Sequence, residues 1–181
     1  VGVVSLADVK KQLNIAADDT SDDVELQGYI DAATVPIEDQ LGQAVEQRTF
    51  TDRLTLPSGG VRHFLLETVP VVSLTSVASV DGTTTWDVSG LDVDGPSGEV
   101  TVVSGSFVRG QVDVTYVAGP STVQPNVRLA GLIIIQHLWE TQRGAMGVQL
   151  GGDNEPWMPG RGFAIPRRAL ELLGPPLPGV A

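Results

Sequence analysis

The sequence predicts an α+β fold, with N-terminal helices and a long apolar helix packed with a central antiparallel β-sheet, and a short helix near the C-terminus. Three observations carry that prediction. Val112, Val114 and Tyr116 alternate with Asp113 and Thr115, the period-two signature of a half-buried strand. After Pro125, the run NVRLAGLIIIQHLWETQR is too long and too unbroken for a strand, and reads as a helix over about 126–143. Between residues 47 and 118, short β-rich runs follow one another through tight turns, an order that pairs strands antiparallel and keeps them apart from the helices.

The elements follow in order within a single domain over 1–174, with helices over about 5–42. Ser5 before Leu6, Ala7 and Asp8 is an N-cap, since its hydroxyl accepts from a free amide of the first turn and Asp8 sits at the positive end of the helix dipole. This first helix is expected to end by Asn14. The stretch Asp18, Asp19, Thr20, Ser21, Asp22 and Asp23 is a turn that opens a second helix running to Leu41. Val24, Leu26, Ile30, Ala33, Ile37 and Leu41 are its apolar positions, Pro36 predicts a kink, and Gly42 is the stop.

From Gln47 the texture becomes β. Arg48–Leu56 and Val61–Leu66 are expected to form a hairpin around Pro57, Ser58, Gly59 and Gly60. Val69–Val80 alternates up to the turn dipeptide Asp81-Gly82, and Trp86–Val93, Glu99–Val103 and Gln111–Val117 supply further strands. An extended loop over 144–164 follows the long helix, rich in glycine and without periodicity, which makes it either functional or disordered. Pro166 opens a short helix over 166–173, and 175–181 is a tail.

The long helix is apolar on nearly every side, so one stripe cannot hold Val127, Leu129, Leu132, Ile133, Ile134, Ile135, Leu138 and Trp139. Its expected covers are the protein's own sheet and a neighbouring subunit, with Ile134, Leu138 and Trp139 as subunit-packing positions. Arg128, Gln136, His137 and Glu140 break the run too often for a membrane span.

Composition narrows the function. With 11 Lys and Arg against 22 Asp and Glu, the net charge of −11 repels phosphate, which argues against sequence-specific DNA binding. An acidic wall still suits a polyanion that must pass without sticking, and plain solubility accounts for the charge equally well. Cysteine is absent, which removes disulfides, thiolate metal sites and a thiol nucleophile. Val1–Leu13 has no charged start followed by an apolar stretch, the pattern of a secretory signal.

Nothing in the sequence assembles an active site. His63 and His137 have no motif partners, and the glycines of 144–152 lack the Lys-Ser or Lys-Thr of a phosphate loop. Asp18–Asp23 and Asp92-Val93-Asp94-Gly95 stop short of a calcium loop and read as a capping turn and a hairpin turn. No catalytic residue, metal ligand or cofactor site is expected. Interaction surface remains. The loop carries Met146, Val148, Leu150, Trp157, Met158 and Phe163 in a segment too rich in glycine to fold alone, either ordered by a partner or simply disordered. Arg161, Arg167 and Arg168 are a basic cluster in an acidic chain, fit for carboxylates of another copy, for the C-terminal carbonyls of a helix, or for solvent.

The order of these parts resembles the head-tail connector, or adaptor, proteins of long-tailed phages. The similar stretches are SLADVKKQLNI, DDVELQGYIDAAT, IEDQLGQAVEQRTF, VPVVSLTSVASVDG, VDVTYVAGP and PNVRLAGLIIIQHLWETQRG, together spanning about Ser5 to Gly144, with IPRRALELLGP similar to a closing helix. The β region from Asp52 to Gly110 is longer than in compact members, and the tail after Gly174 is proline-rich. The resemblance implies a non-enzymatic ring, a dodecamer of the chain itself, bound beneath the portal protein in the virion neck and assembled in the host cytoplasm. It implies a surface for the next neck or tail-side protein, a channel for double-stranded DNA without specific binding, and no membrane or cofactor. Trp157, Met158, Arg161, Arg167 and Arg168 are the partner-contact residues so implied. Two other readings stay open: another neck or tail-completion protein, and a non-viral β-rich ligand-binding module suggested by Trp86, Trp157 and the clustered aspartates.

Overall fold

A computed structural model of the protein describes residues 2–143 and 165–175. The described residues divide into two compact units, one of 2–41 with 123–143 and 165–175, and one of Gly42–Thr122.

The first unit is helical, with α1 (Leu6–Gln12), α2 (Asp23–Leu41), α3 (Pro125–Arg143) and α4 (Arg167–Leu173). Ser5 caps α1 as its sequence requires, its hydroxyl accepting from the Asp8 amide at 3.2 Å. The same hydroxyl donates to the Asp8 carboxylate, and with Arg128 of α3 beside it that carboxyl is held below the usual range. α2 runs unbroken through Pro36. Its buried face is Leu26, Tyr29, Ile30, Ala33, Ile37 and Leu41, a helical stripe that excludes Val24. Val24 is 90% exposed, which corrects its expected place in the core: it lies two residues before Leu26, out of phase with the three-and-four spacing.

The segment before α1 is part of this core. Val3 and Val4 are buried, and the Val3 amide donates to Thr34 Oγ1 at 3.1 Å. A Cβ on Gly2 would collide with Ile30 Cγ2 and one on Gly131 would meet Val3 Cγ1 at 2.7 Å, so both glycines permit a close approach that any side chain would block. Lys10 is buried too, its ammonium 2.5 Å from Asp23 Oδ1 and donating to the Asp19 carbonyl at 2.7 Å, which ties α1 to the start of α2.

The second unit is all β, with β1 (Arg48–Val61), β2 (His63–Leu65), β3 (Val71–Ser79), β4 (Thr85–Trp86), β5 (Leu91–Asp94), β6 (Glu99–Val102) and β7 (Val108–Ala118). Its strands form two antiparallel sheets rather than the one expected, ordered β1-β7-β3-β4 and β2-β6-β5. The alternation of β7 is as the sequence predicts: Val108, Val112, Val114, Tyr116 and Ala118 are buried and form a core with Val77, Val100 and Val102.

The expected hairpin over 57–60 is absent. β1 continues through it and pairs with β7 on both sides of it, from Arg48 opposite Ala118 to Leu56 opposite Gly110 and again at Val61 opposite Val108. Between Leu56 opposite Gly110 and Val61 opposite Val108, five steps on β1 match two on β7. Pro57 lacks an amide and Gly60 has φ +83°, yet β1 is an edge strand, where such residues make a bulge instead of reversing the chain. The strand after it, β2, pairs with β6.

One buried polar network anchors the sheet of β7. Tyr116 Oη donates to Asp52 Oδ2 at 2.8 Å and accepts from the Thr68 amide at 3.0 Å, while the Glu67 amide donates to the same Asp52 oxygen at 2.8 Å. Burial pushes the Tyr116 hydroxyl up to about 12, with the Asp52 carboxylate adding to the shift.

Candidate interaction surfaces

The residues expected to pack against a second subunit fall into different settings. Ile134 is fully buried within the helical unit, alongside Val127, Ala130 and Ile135. Leu138 and Trp139 are half-buried, and the Trp139 ring meets Tyr29 of α2 edge-on with centroids 6.5 Å apart. α3 is therefore not apolar all round. Its inner face is buried, while Asn126, Leu129, His137 and Glu140 are exposed and Ile133 and Gln136 half-exposed along the opposite stripe. Leu129, at 43% exposed, is the one large apolar residue there that stands clear of the core.

Of the predicted partner contacts, Trp157, Met158 and Arg161 lie outside the described residues, as does the loop that carries them. Arg167 and Arg168 stand exposed on α4. Arg167 pairs with Glu171 one turn on, at 3.6 Å with both side chains largely in water, an arrangement that adds little to stability. α4 itself is seated by Ala169 and Leu173 and by Asn126, whose amide donates to the Leu172 carbonyl at 3.0 Å.

Residues with possible chemistry are dispersed. His63 Nδ1 lies 3.0 Å from Thr101 Oγ1 on the exposed side of the smaller sheet, and His137 is exposed on α3. Asp19 accepts from the amide and hydroxyl of Ser21, and Asp94 accepts from the Ser97 hydroxyl, so both aspartates close turns. Among the described residues, no group of three or more His, Asp or Glu is placed to hold a metal ion, and no helix is long and apolar enough to cross a membrane. Trp86 is largely buried and donates from Nε1 to the Phe107 carbonyl at 3.2 Å, which leaves little of its ring to stack on a sugar.

Two surfaces emerge that the sequence reading missed. On α2, Val24, Gly28, Ala32 and Val35 share one exposed stripe with Asp31 and Asp39. Their spacing of four, four and three was legible as a second helical phase, hidden because Gly and Ala carry little hydropathy signal. On the β unit, the turn from β6 to β7 exposes Val103 at 63% and Phe107 at 49%, beside exposed Arg62 and Arg109.

Charge divides along the chain in the same way. From Gln12 to Gln47 there are nine Asp and Glu and no Lys or Arg. Such a run sets up a local negative potential well beyond single ion pairs.

Comparison with known proteins gives a coherent picture. A family model described as head completion protein matches residues 2–175. No curated protein matches significantly. Among solved structures, the chain is similar to one from the neck of an empty GTA particle computed with C6 symmetry, at TM-score 0.64 and 19% identity over 97% of this chain and 90% of that one. It is similar to a chain of the virion of a native gene transfer agent particle, at TM-score 0.63 and 20% identity over 97% and 90%. A third match, to the neck of a native GTA particle computed with C12 symmetry, has TM-score 0.61 and 19% identity over 97% and 91%. At these identities the likeness is one of fold.

Proposed function

The chain belongs to the head completion protein family, and from that membership we propose that it is a structural protein of the virion neck. It assembles as a ring beneath the portal, joins the DNA-filled head to the tail-side neck protein, and continues the DNA channel. The observation that carries this reading is the family match over residues 2–175, which takes in both compact units and so concerns the chain as a whole. The similar chains come from a virion and from necks computed with C6 and C12 symmetry, and a ring of twelve copies of this chain is compatible with both symmetries.

The physical chemistry is consistent with a conduit. A net charge of −11 gives a wall that DNA phosphates do not adhere to, so the strand can move through without a sequence-dependent brake. Exposed apolar positions on α2, on α3 and at the β6–β7 turn supply surface for neighbouring copies and for the rings above and below.

Complementation tests the reading. DNA-filled, tailless heads lacking this protein are incubated with the purified chain and then with free tails, and infectious or tailed particles are counted. Restoration of tail joining that depends on the chain, and on heads that carry a portal, is the expected result. Heads that join tails equally well without it would overturn the proposal.

A further inference from the structure

Resting on the ring reading, we propose that neighbouring copies are joined by seating the β6–β7 turn of one copy on the exposed stripe of α2 of the next. The contact is heterologous, a knob from the β unit of one copy on a shallow receiving strip of the helical unit of another, and a heterologous contact is the kind that can close into a ring.

The knob is preorganised. Phe107 is exposed, yet held at three points: its carbonyl accepts from Trp86 Nε1, the Arg62 guanidinium lies 5.9 Å over its ring, and its Cβ is so near Gly60 that a Cβ there would sit 2.7 Å away. The first and third contacts fix the backbone and Cβ from which the ring projects, so docking it on a partner orders the side chain alone and not the turn. Val103 on the other limb of the turn extends the apolar surface.

The receiving strip matches in shape and charge. Nothing lies within 4 Å of a Cβ built on Gly28, and with Ala32 it forms a low saddle between exposed Val24 and Val35, where an aromatic ring can approach the helix backbone. Asp31 and Asp39 flank the saddle on a helix that carries no basic residue. Arg62 and Arg109 flank the knob, and among the described residues neither forms an ion pair with a carboxylate. Arg62 gives its Nε to the Val102 carbonyl at 3.3 Å, and its terminal N–H groups, with the guanidinium of Arg109, are left for the carboxylates of another copy. A second copy is the occupant these features favour, because the acidic stripe and the basic apolar knob occur on one chain.

The test compares assembly of full-length variants by native mass spectrometry, alone and on DNA-filled tailless heads, with circular dichroism as a control for folding. Gly28→Trp and Phe107→Ala change exposed side chains, so both should stay folded, and both should weaken assembly by at least roughly thirtyfold, the loss typical of a central anchor. Asp31→Arg with Asp39→Arg should abolish assembly, as should Arg62→Asp with Arg109→Asp, and combining all four should restore it. Wild-type rings together with folded Gly28→Trp rings of the same stability would overturn this interface and leave the ring intact. Failure of the combined variant to recover, while the wild type assembles, would overturn the pairing of these two faces. Variants that form normal rings but no longer load onto heads would assign the stripe to a different protein and overturn the proposal. A wild type that never passes beyond a monomer, in solution or on heads, would instead overturn the ring reading on which it rests.

Discussion

Single residues in this protein act through what their side chains exclude or satisfy. Gly28 lies inside α2 with open space around it, so Gly28→Ala should raise stability by about 0.5–1 kcal/mol in denaturant unfolding, as expected when a helix-interior glycine gains a Cβ without a clash. Tyr116 is the opposite case. Tyr116→Phe removes the donor to Asp52 and the acceptor for the Thr68 amide, and should cost about 1–3 kcal/mol by leaving buried groups short of partners. Its hydroxyl titrates near 10 when unfolded and at about 12 when folded, so the folded state keeps its proton longer. The stabilisation this gives is fully present below pH 10 and is lost as pH rises toward 12; stability measured across that window should fall in the wild type and fall less in Tyr116→Phe. Lys10 was legible in the sequence only as one of two adjacent lysines. Its burial against Asp23 and the Asp19 carbonyl depends on how the acidic turn folds back over α1, which a linear pattern does not encode.

At the scale of elements, periodicity located helices and strands well and faces less well. Ser5 and its neighbours specified α1, and Val112 to Tyr116 specified the buried face of β7, because cap chemistry and alternation are local. The stretch from Pro57 to Gly60 misled, since the same residue types serve a turn and an edge-strand bulge, and only the pairing of β1 with β7 decides between them. The second sheet was illegible for a related reason: short strands such as β2 and β5 carry too few residues to announce their partners. Burial on α3 separates two substitutions that sequence alone treats alike. Ile134→Asp places an unpaired charge in the core of the helical unit and should abolish its cooperative folding, whereas Leu129→Asp lies on the exposed stripe and should shift stability by no more than about 0.5 kcal/mol. Circular dichroism and thermal melts of the two variants check this directly.

At the scale of the whole molecule, charge and exposed surface support the part in the virion neck proposed above. The acidic run from Gln12 to Gln47 and the net charge of −11 predict that the protein does not retain double-stranded DNA at physiological salt in a mobility-shift assay. Of the contact residues expected from sequence, Arg167 and Arg168 stand on the surface and Trp157, Met158 and Arg161 fall outside the described residues, so the candidate site rests instead on α2 and the β6–β7 turn. Those were hidden in the sequence because exposure of a Phe or Val follows from tertiary packing and not from its type. The proposed function places a ring of this chain on the DNA axis of the neck. A cryo-electron microscopy reconstruction of filled heads loaded with the purified protein tests it most directly. The expected density is a closed ring of this chain beneath the portal, its copies contacting one another around an open channel. Isolated copies, or density for the chain away from the portal axis, would contradict it.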